Sequence, residues 1–304
     1  SLRTKIRVPK ILEQVTMAGL TTAGVEFSGS VMRYAEIEQA ESRFRLQRLG
    51  NCEFEFDAAS VAYLGMQPDL LPTIREAIQD VFRDTTSSVI RFVIPTPLQT
   101  RFSTAVPIDA DVQERSGLIG FETRLFTSNR EGGDVFPVHL RSENRSQVQG
   151  FAVAHVDERV ANHIRAVGSV FPDVEVQMVP SMNAAALSFR HVAHRESLST
   201  GSYLLVGMID GLSDFILMHN AESLTHSTMV TPYPEDTAYH ALLTCSRFGK
   251  TCHDIQTVYV YGNADREAGM AGLRDAFGDR VQLLNPGIIV NLEPDRFETD
   301  YPIE

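Results

Sequence analysis

Ser28-Gly29-Ser30 lies between two extended runs, Gly24–Phe27 and Val31–Glu38. A small polar turn of this kind can offer backbone N–H groups to a phosphate. It suits a plain hairpin equally well. Asp210-Gly211 is a second turn of the same sort, with Ser213 just beyond it and Asp214 opening the next strand. Near the C-terminal end, Tyr261-Gly262-Asn263-Ala264-Asp265 carries one glycine at a strand end, where a backbone can approach a ligand closely. Asn263 and Asp265 fit as well as the cap of a following helix. Other reactive residues are poorly arranged. His191 and His194 share a helical face but have no Cys or carboxylate cluster beside them, so a polar role at a helix end is expected in place of a metal site. Cys252 and His253 are adjacent in the chain, which gives no nucleophile–base geometry. No P-loop, G-x-S-x-G or H-E-x-x-H motif is present.

The elements that must position these turns read as one pattern made twice. Gly24–Phe27, Val31–Glu38 and the alternation of Phe44, Leu46, Phe54 and Phe56 give three strands joined by tight turns. A helix follows from Gln67 to Arg83, with Leu70, Leu71, Ile74, Ala77, Ile78, Val81 and Phe82 on one stripe. Ser88–Ile94 is then a buried strand. After Gly201 the order returns: strands at Tyr203–Ile209, Asp214–His219 and Leu224–Val230, a helix over Pro234–Phe248, and a strand at Thr257–Tyr261. A helix at Ala264–Phe277 and a strand at Val281–Leu284 follow. Between the repeats, Phe151–His155, a helix from Asp157 to about Phe171, Val174–Met178 and a helix from Ser181 to about Phe189 complete the first half. Residues 107–150 are less regular. A short helix at Asp111–Gly117 and strands around Leu118–Thr127 and Val135–Leu140 are expected there, as a small inserted subdomain.

The predicted architecture is therefore α/β, with two mixed-sheet lobes facing each other over a central cleft. The expected divisions are an arm at 1–22, a first lobe at 23–200 with its insertion at about 107–150, a second lobe at 201–290 and a tail at 291–304. A chain of 304 residues with 43% hydrophobic and 22% charged residues can bury two such cores. Its net charge of -12 argues against a general nucleic-acid binder, while leaving room for a local basic patch. The early cations Arg3, Lys5, Arg7 and Lys10 read as a solvated arm, with a dock for an acidic partner or lipid headgroups as the alternative. No apolar run is long enough for a helical membrane span. Cys52, Cys245 and Cys252 have no CxxC spacing and read as reduced thiols of a cytoplasmic protein.

The order and spacing of several stretches resemble the actin-like ATPase superfamily, a duplicated ribonuclease H-like fold. Within it they are most similar to the PilM-like components of type IV pilus and type II secretion machinery. "AGVEFSGSVMRYAEIE" resembles the first phosphate hairpin, "YLLVGMIDGLSDFILMHNAESL" the second, and "QTVYVYGNADREAGMAGLRDAF" the segment near the adenosine. "VIRFVIPTPLQTRFSTAVPIDAD" resembles the strand–turn–strand that leads into the inserted subdomain.

The resemblance implies Glu26, Ser28, Gly29 and Ser30 on one side of a nucleotide, Asp210, Gly211 and Ser213 on the other, and Gly262 and Asn263 at the adenosine. Binding Mg²⁺ would require Glu26 and either Asp210 or Asp214 to converge. The family pattern is eroded, however. Gly207 stands where an acid is usual, Leu212 intrudes on the second turn, and a single glycine replaces a glycine run. The expectation is a non-catalytic bacterial adaptor, a pseudo-ATPase scaffold with no cofactor and no resident metal. Its partner would be a protein, such as the N-terminal peptide of a bitopic inner-membrane protein gripped near Phe92–Pro107 and Phe121–Phe136. A cytoplasmic site, peripheral to the inner membrane, follows from that, and a homo-oligomer is compatible with it. The alternative is a protein that binds or hydrolyses ATP with Mg²⁺ in the cleft.

Overall fold

The computed structural model describes residues 20–40, 43–127, 132–141, 147–198, 200–209, 211–262 and 266–291. β1 (Leu20–Ser28), β2 (Val31–Ala40) and β3 (Arg43–Glu53) form an antiparallel meander. Two helices, α1 (Ala58–Leu64) and α2 (Leu71–Val81), lead to β4 (Val89–Ile94), which lies parallel to β1. Three further strands and a helix make the insertion: β5 (Gln99–Pro107), α3 (Val112–Phe126), β6 (Asp134–Leu140) and β7 (Val148–Val156). The chain then returns through α4 (Glu158–Gly168) to β8 (Glu175–Pro180), parallel to β4, and on to α5 (Ser181–Arg195).

The second lobe repeats the scheme. β9 (Ser202–Ile209), β10 (Leu212–His219) and β11 (Glu222–Val230) are antiparallel neighbours. α6 (Pro234–Arg247) precedes β12 (Ile255–Gly262), parallel to β9, and α7 (Arg266–Phe277) precedes β13 (Val281–Leu283), parallel to β12. β14 (Val290–Asn291) crosses back to pair with β3. Set side by side, the two sheets read β3-β2-β1-β4-β8 and β11-β10-β9-β12-β13, with β14 added at the outer edge of the first. The first three strands of each are a meander, and the last two are parallel strands reached through helices. The duplication extends to the turns. In the first lobe the Ala59 N–H donates to the Gly29 carbonyl at 3.0 Å; in the second, the Thr231 N–H donates to the Gly211 carbonyl at 3.0 Å.

Burial explains the layering. In β4 the alternate residues Ile90, Phe92 and Ile94 are fully buried and face the stripe of α1, α2 and α4 through Val61, Ile74, Ile78 and Ile164. β9 is buried on both faces, which its nearly unbroken apolar run requires. One face meets α6 and α7 through Ala241, Cys245, Leu273 and Phe277. The other meets α5 through Met182, Ala186 and Phe189. So α5, although it follows the first lobe's last strand, lays its apolar side on the second sheet.

The insertion differs from its sequence reading. Leu118–Thr127 is not a strand; a single helix runs from Val112 to Phe126. The Asp111 carboxylate caps it, accepting from the Gln113 and Glu114 N–H groups at 2.8 Å each. Leu118, Phe121, Leu125 and Phe126 are apolar yet exposed, which hid the helical period in the sequence. Phe151–His155 forms a strand as expected, but β7 is the centre of the inserted sheet, with order β5-β7-β6. The inserted sheet thus starts at Gln99 and ends at Val156, wider than 107–150 on both sides.

Candidate functional site

The first hairpin closes at the Ser28–Val31 pair around Gly29 and Ser30. Gly29 has φ +57°, the left-handed value that glycine supplies at the first position of a type II′ turn. The Ser30 carbonyl accepts from the Phe54 N–H at 2.8 Å, so with the Gly29–Ala59 bond the turn is clasped to the segment that begins α1. Glu26 lies on β1 opposite Arg33 of β2, with 3.9 Å between carboxylate and guanidinium, and both side chains are partly exposed.

The second hairpin closes at Ile209 and Leu212. Asp210 lies outside the described residues, as does Asn263. Gly211 has φ +68°. Ser213 is buried, and its hydroxyl shares hydrogen bonds with Thr231 Oγ1 at 2.8 Å and Thr237 Oγ1 at 3.0 Å. That hydroxyl ties β10 to the start of α6. Gly262 has φ +104°, and a Cβ there would lie 2.2 Å from the Met208 carbonyl oxygen. Its glycine is required by the close approach of β12 to β9.

Among the described residues, the fully buried carboxylate that reaches between the lobes is Asp214. It has no solvent exposure. Thr96, just after β4, donates its hydroxyl to Oδ2 at 2.6 Å, and Thr228 of β11 donates to Oδ1 at 2.7 Å. Thr96 Oγ1 also lies 3.1 Å from the hydroxyl of Ser181, the first residue of α5. Burial pushes the Asp214 carboxyl above the ordinary carboxylate range, against the two threonine hydroxyls and the charge of Arg101. Arg101 itself is pulled below the usual guanidinium range by burial, and Asp214 opposes that pull. Tyr261 covers the position where an acid is expected: a Cβ on Gly207 would fall 2.6 Å from the Tyr261 ring. The Tyr261 hydroxyl is buried without a hydrogen-bond partner, and desolvation, then Asp214, pushes its acidity well out of the usual phenol range.

The comparisons with known proteins bear on the fold. A structure of the PilM-PilN type IV pilus biogenesis complex superposes with a TM-score of 0.68 at 12% identity, over 91% of this chain and 92% of the other. The chain has the actin-like ATPase fold. A Bacteroides thetaiotaomicron protein of that fold and of unknown function matches with a TM-score of 0.51 at 13% identity, over 92% of this chain and 96% of its own. No family model and no curated protein matches the sequence.

An actin-like fold implies Mg²⁺ and a nucleotide, but among the described residues Asp214, the buried carboxylate between the lobes, is not free to hold the metal. Both oxygens of Asp214 accept hydroxyl hydrogens in a site closed to solvent. The Tyr261 ring packs over Gly207 of β9, the position where the family pattern places an acid. Among the described residues, no group of three His, Cys, Asp or Glu side chains is placed to hold a metal ion. The structure brings Asp214 together with Thr96, Ser181, Thr228, Arg101 and Tyr261. Of these, sequence reasoning singled out Asp214 alone for metal chemistry. Threonines 96 and 228 leave no motif, and their partner is more than a hundred residues from the first of them.

Proposed function

We propose that this chain is a non-catalytic, actin-like adaptor of a membrane-associated assembly, such as a pilus or secretion machine. It acts from the cytoplasmic side, peripheral to the inner membrane, and its partner is a protein. The observation that carries this reading is the state of the cleft. The buried carboxylate that could serve a metal serves as a hydrogen-bonded tie between lobes instead, which supports a scaffold over a hydrolase. The similarity in fold to PilM, whose structure is that of a complex with PilN, supports a protein partner.

The partner we favour is a short segment next to a membrane span. Cytoplasmic segments of that kind are rich in Lys and Arg, and a chain of net charge -12 attracts them. The outer face of α3, with Phe121 and Phe126 each more than half exposed, offers an apolar surface beside β5, where Phe102 stacks on Phe126 at 4.4 Å. Of the wall expected from sequence, this end is accessible, whereas Phe92 is fully buried in the first core.

Thermal unfolding with and without Mg-ATP tests the reading against the ATP-binding alternative, because a ligand of the native state alone raises the melting temperature. No rise at millimolar nucleotide is expected. A rise that Asp214→Asn abolishes would overturn the proposal. Among the described residues no helix is long and apolar enough to cross a membrane.

A further inference from the structure

α3 is apolar on two opposite sides. On the inward side Ile119 joins Val106, Val135, Phe151 and Val153 in the core of the insertion. On the outward side Leu118 is 41% exposed, Phe121 53% and Leu125 60%. A surface helix ordinarily turns polar residues to water. Single exposed apolar side chains need no account, but a stripe along a helix marks an interaction site.

Gly117, one turn before Phe121, is a second and independent observation. Glycine inside a helix weakens it relative to alanine. Three other helical glycines back onto a neighbour that a Cβ would meet: Gly168 onto Val176, Gly269 onto Met208 and Gly272 onto the Pro234 carbonyl. A Cβ at Gly117 would meet nothing within 4 Å. No contact inside the chain calls for glycine there. Its effect is a notch in the outer surface, next along the helix to an exposed ring. Glu114, Gly117, Phe121 and Arg124 follow at spacings of three, four and three, which is the seam of a helix pair. All four are exposed. Among the described residues, neither Glu114 nor Arg124 makes an ion pair.

We infer that this seam pairs with the same seam of a second copy of the chain, the two α3 helices running antiparallel about a two-fold axis. Self-complementarity identifies the occupant. A pairing centred at the level of Ile119 sets the Phe121 ring of each copy against the Gly117 notch of the other. The same centring sets Glu114 of each copy against Arg124 of the other. One register therefore satisfies ring, notch and both charges, each of them twice. A parallel pairing would put ring against ring and Glu114 against Glu114. Phe126, five positions on from Phe121, lies round the helix from it and stacks on Phe102. It stays outside the seam, beside β5. The inference does not rest on the adaptor reading, because it concerns the chain without its partner.

Sedimentation velocity of the full chain tests it, over about 5–200 μM protein in about 0.15 M salt, which screens the repulsion between two acidic copies. One helix from each copy makes a small interface, so a reversible dimer with a Kd of about 1–100 μM is expected. Phe121→Glu changes an exposed position, so the chain still folds, and the dimer should weaken about tenfold or more. Gly117→Gln should move two readouts in opposite directions. It raises the melting temperature of the dilute monomer, being a better helix former, and weakens the dimer about tenfold by filling the notch. Glu114→Arg should weaken the dimer, and adding Arg124→Glu should restore it. A chain that stays monomeric to about 200 μM overturns the inference. So does a dimer that Phe121→Glu and Gly117→Gln both leave intact, and a charge-swapped double variant no tighter than Glu114→Arg overturns the antiparallel register. A monomer that binds a basic apolar peptide through Phe121 overturns the inference and leaves the adaptor reading standing.

Discussion

Replacing Asp214 by Ala removes the acceptor of two buried hydrogen bonds, from Thr96 and from Thr228. A bond to an ionised acceptor is worth roughly 1.5–3 kcal/mol, so the pair amounts to about 3–6 kcal/mol. Burying the carboxylate opposes that gain, as its raised pKa records, and deleting it returns part of the cost. The expected loss for Asp214→Ala is therefore about 2–4 kcal/mol. Asp214→Asn behaves differently. The amide oxygen still accepts from Thr228, and the amide N–H₂ donates to Thr96 Oγ1. Thr96 then turns its own proton toward Ser181 Oγ, 3.1 Å away. A loss of no more than about 1 kcal/mol is expected for this variant. Urea unfolding followed by far-ultraviolet circular dichroism measures both, with the slope checked for two-state behaviour. The chain contains no Trp, so a tryptophan signal cannot be used. Equal losses for Ala and Asn would mean that the charge, not the hydrogen-bond geometry, matters, and the reasoning would fail. It would also fail if Asp214→Asn left stability intact but erased a Mg²⁺-dependent stabilisation, since that is the signature of a metal carboxylate.

Glu36 is 2% exposed and accepts from Arg48 Nε and Ser87 Oγ, at 2.7 and 2.8 Å, and from Thr85. Glu36→Ala should cost roughly 3–5 kcal/mol in chemical unfolding, because it leaves a partly buried guanidinium unpaired. His226 is held neutral by burial, aided by Arg101 and Arg190, and its pKa is pushed down to about 3. The unfolded chain therefore takes up a proton below about pH 6.5 that the native state refuses, and stability falls as pH drops from there to about 3, by up to about 1.4 kcal/mol per pH unit. His226→Gln should flatten that part of the pH–stability curve; an unchanged slope would assign the acid sensitivity elsewhere. Gly262→Ala combines an unfavourable φ with a Cβ against the Met208 carbonyl, and should cost roughly 2–4 kcal/mol. Gly29→Ala, whose Cβ meets nothing within 4 Å, should cost about 1–2 kcal/mol. A tolerated Gly262→Ala would show that the glycine is not there for strand packing.

The strand pattern was legible because turn chemistry and alternation mark each meander locally. Ser28-Gly29-Ser30 and Gly211 lie at the two hairpins, and the second-lobe strands expected at Tyr203–Ile209 and Thr257–Tyr261 lie within the observed β9 and β12. α1 went unread although its ends are marked, by the Asp57 cap that accepts from Ser60 N–H at 3.1 Å and by Gly65 at φ +65°. Seven residues carry too short a period to stand out. Gln67–Arg83 begins as a 3₁₀ turn at Pro68–Leu70 and becomes α-helical at Leu71. α3 reads as a helix only over Asp111–Gly117, because from Leu118 onward its outward face is as apolar as its inward one. The destination of β14 could not be read at all, since a two-residue strand is defined by its partner. The same limit governs the site. Asp214, Thr96 and Arg101 acquire meaning only where three separate sheets meet, and no local pattern announces a hydroxyl that will face a carboxylate from the other lobe.

Where β6 ends, the Arg141 main-chain N–H donates to the Ser223 carbonyl at 2.7 Å, and its guanidinium reaches Glu222 at 2.9 Å. The insertion is therefore fastened to the second lobe although it grows out of the first. The edge of the inserted sheet touches β11 directly, besides its covalent connection through the first lobe. The two halves are thus joined at a second place, at the margin of the insertion, besides the contacts around Asp214.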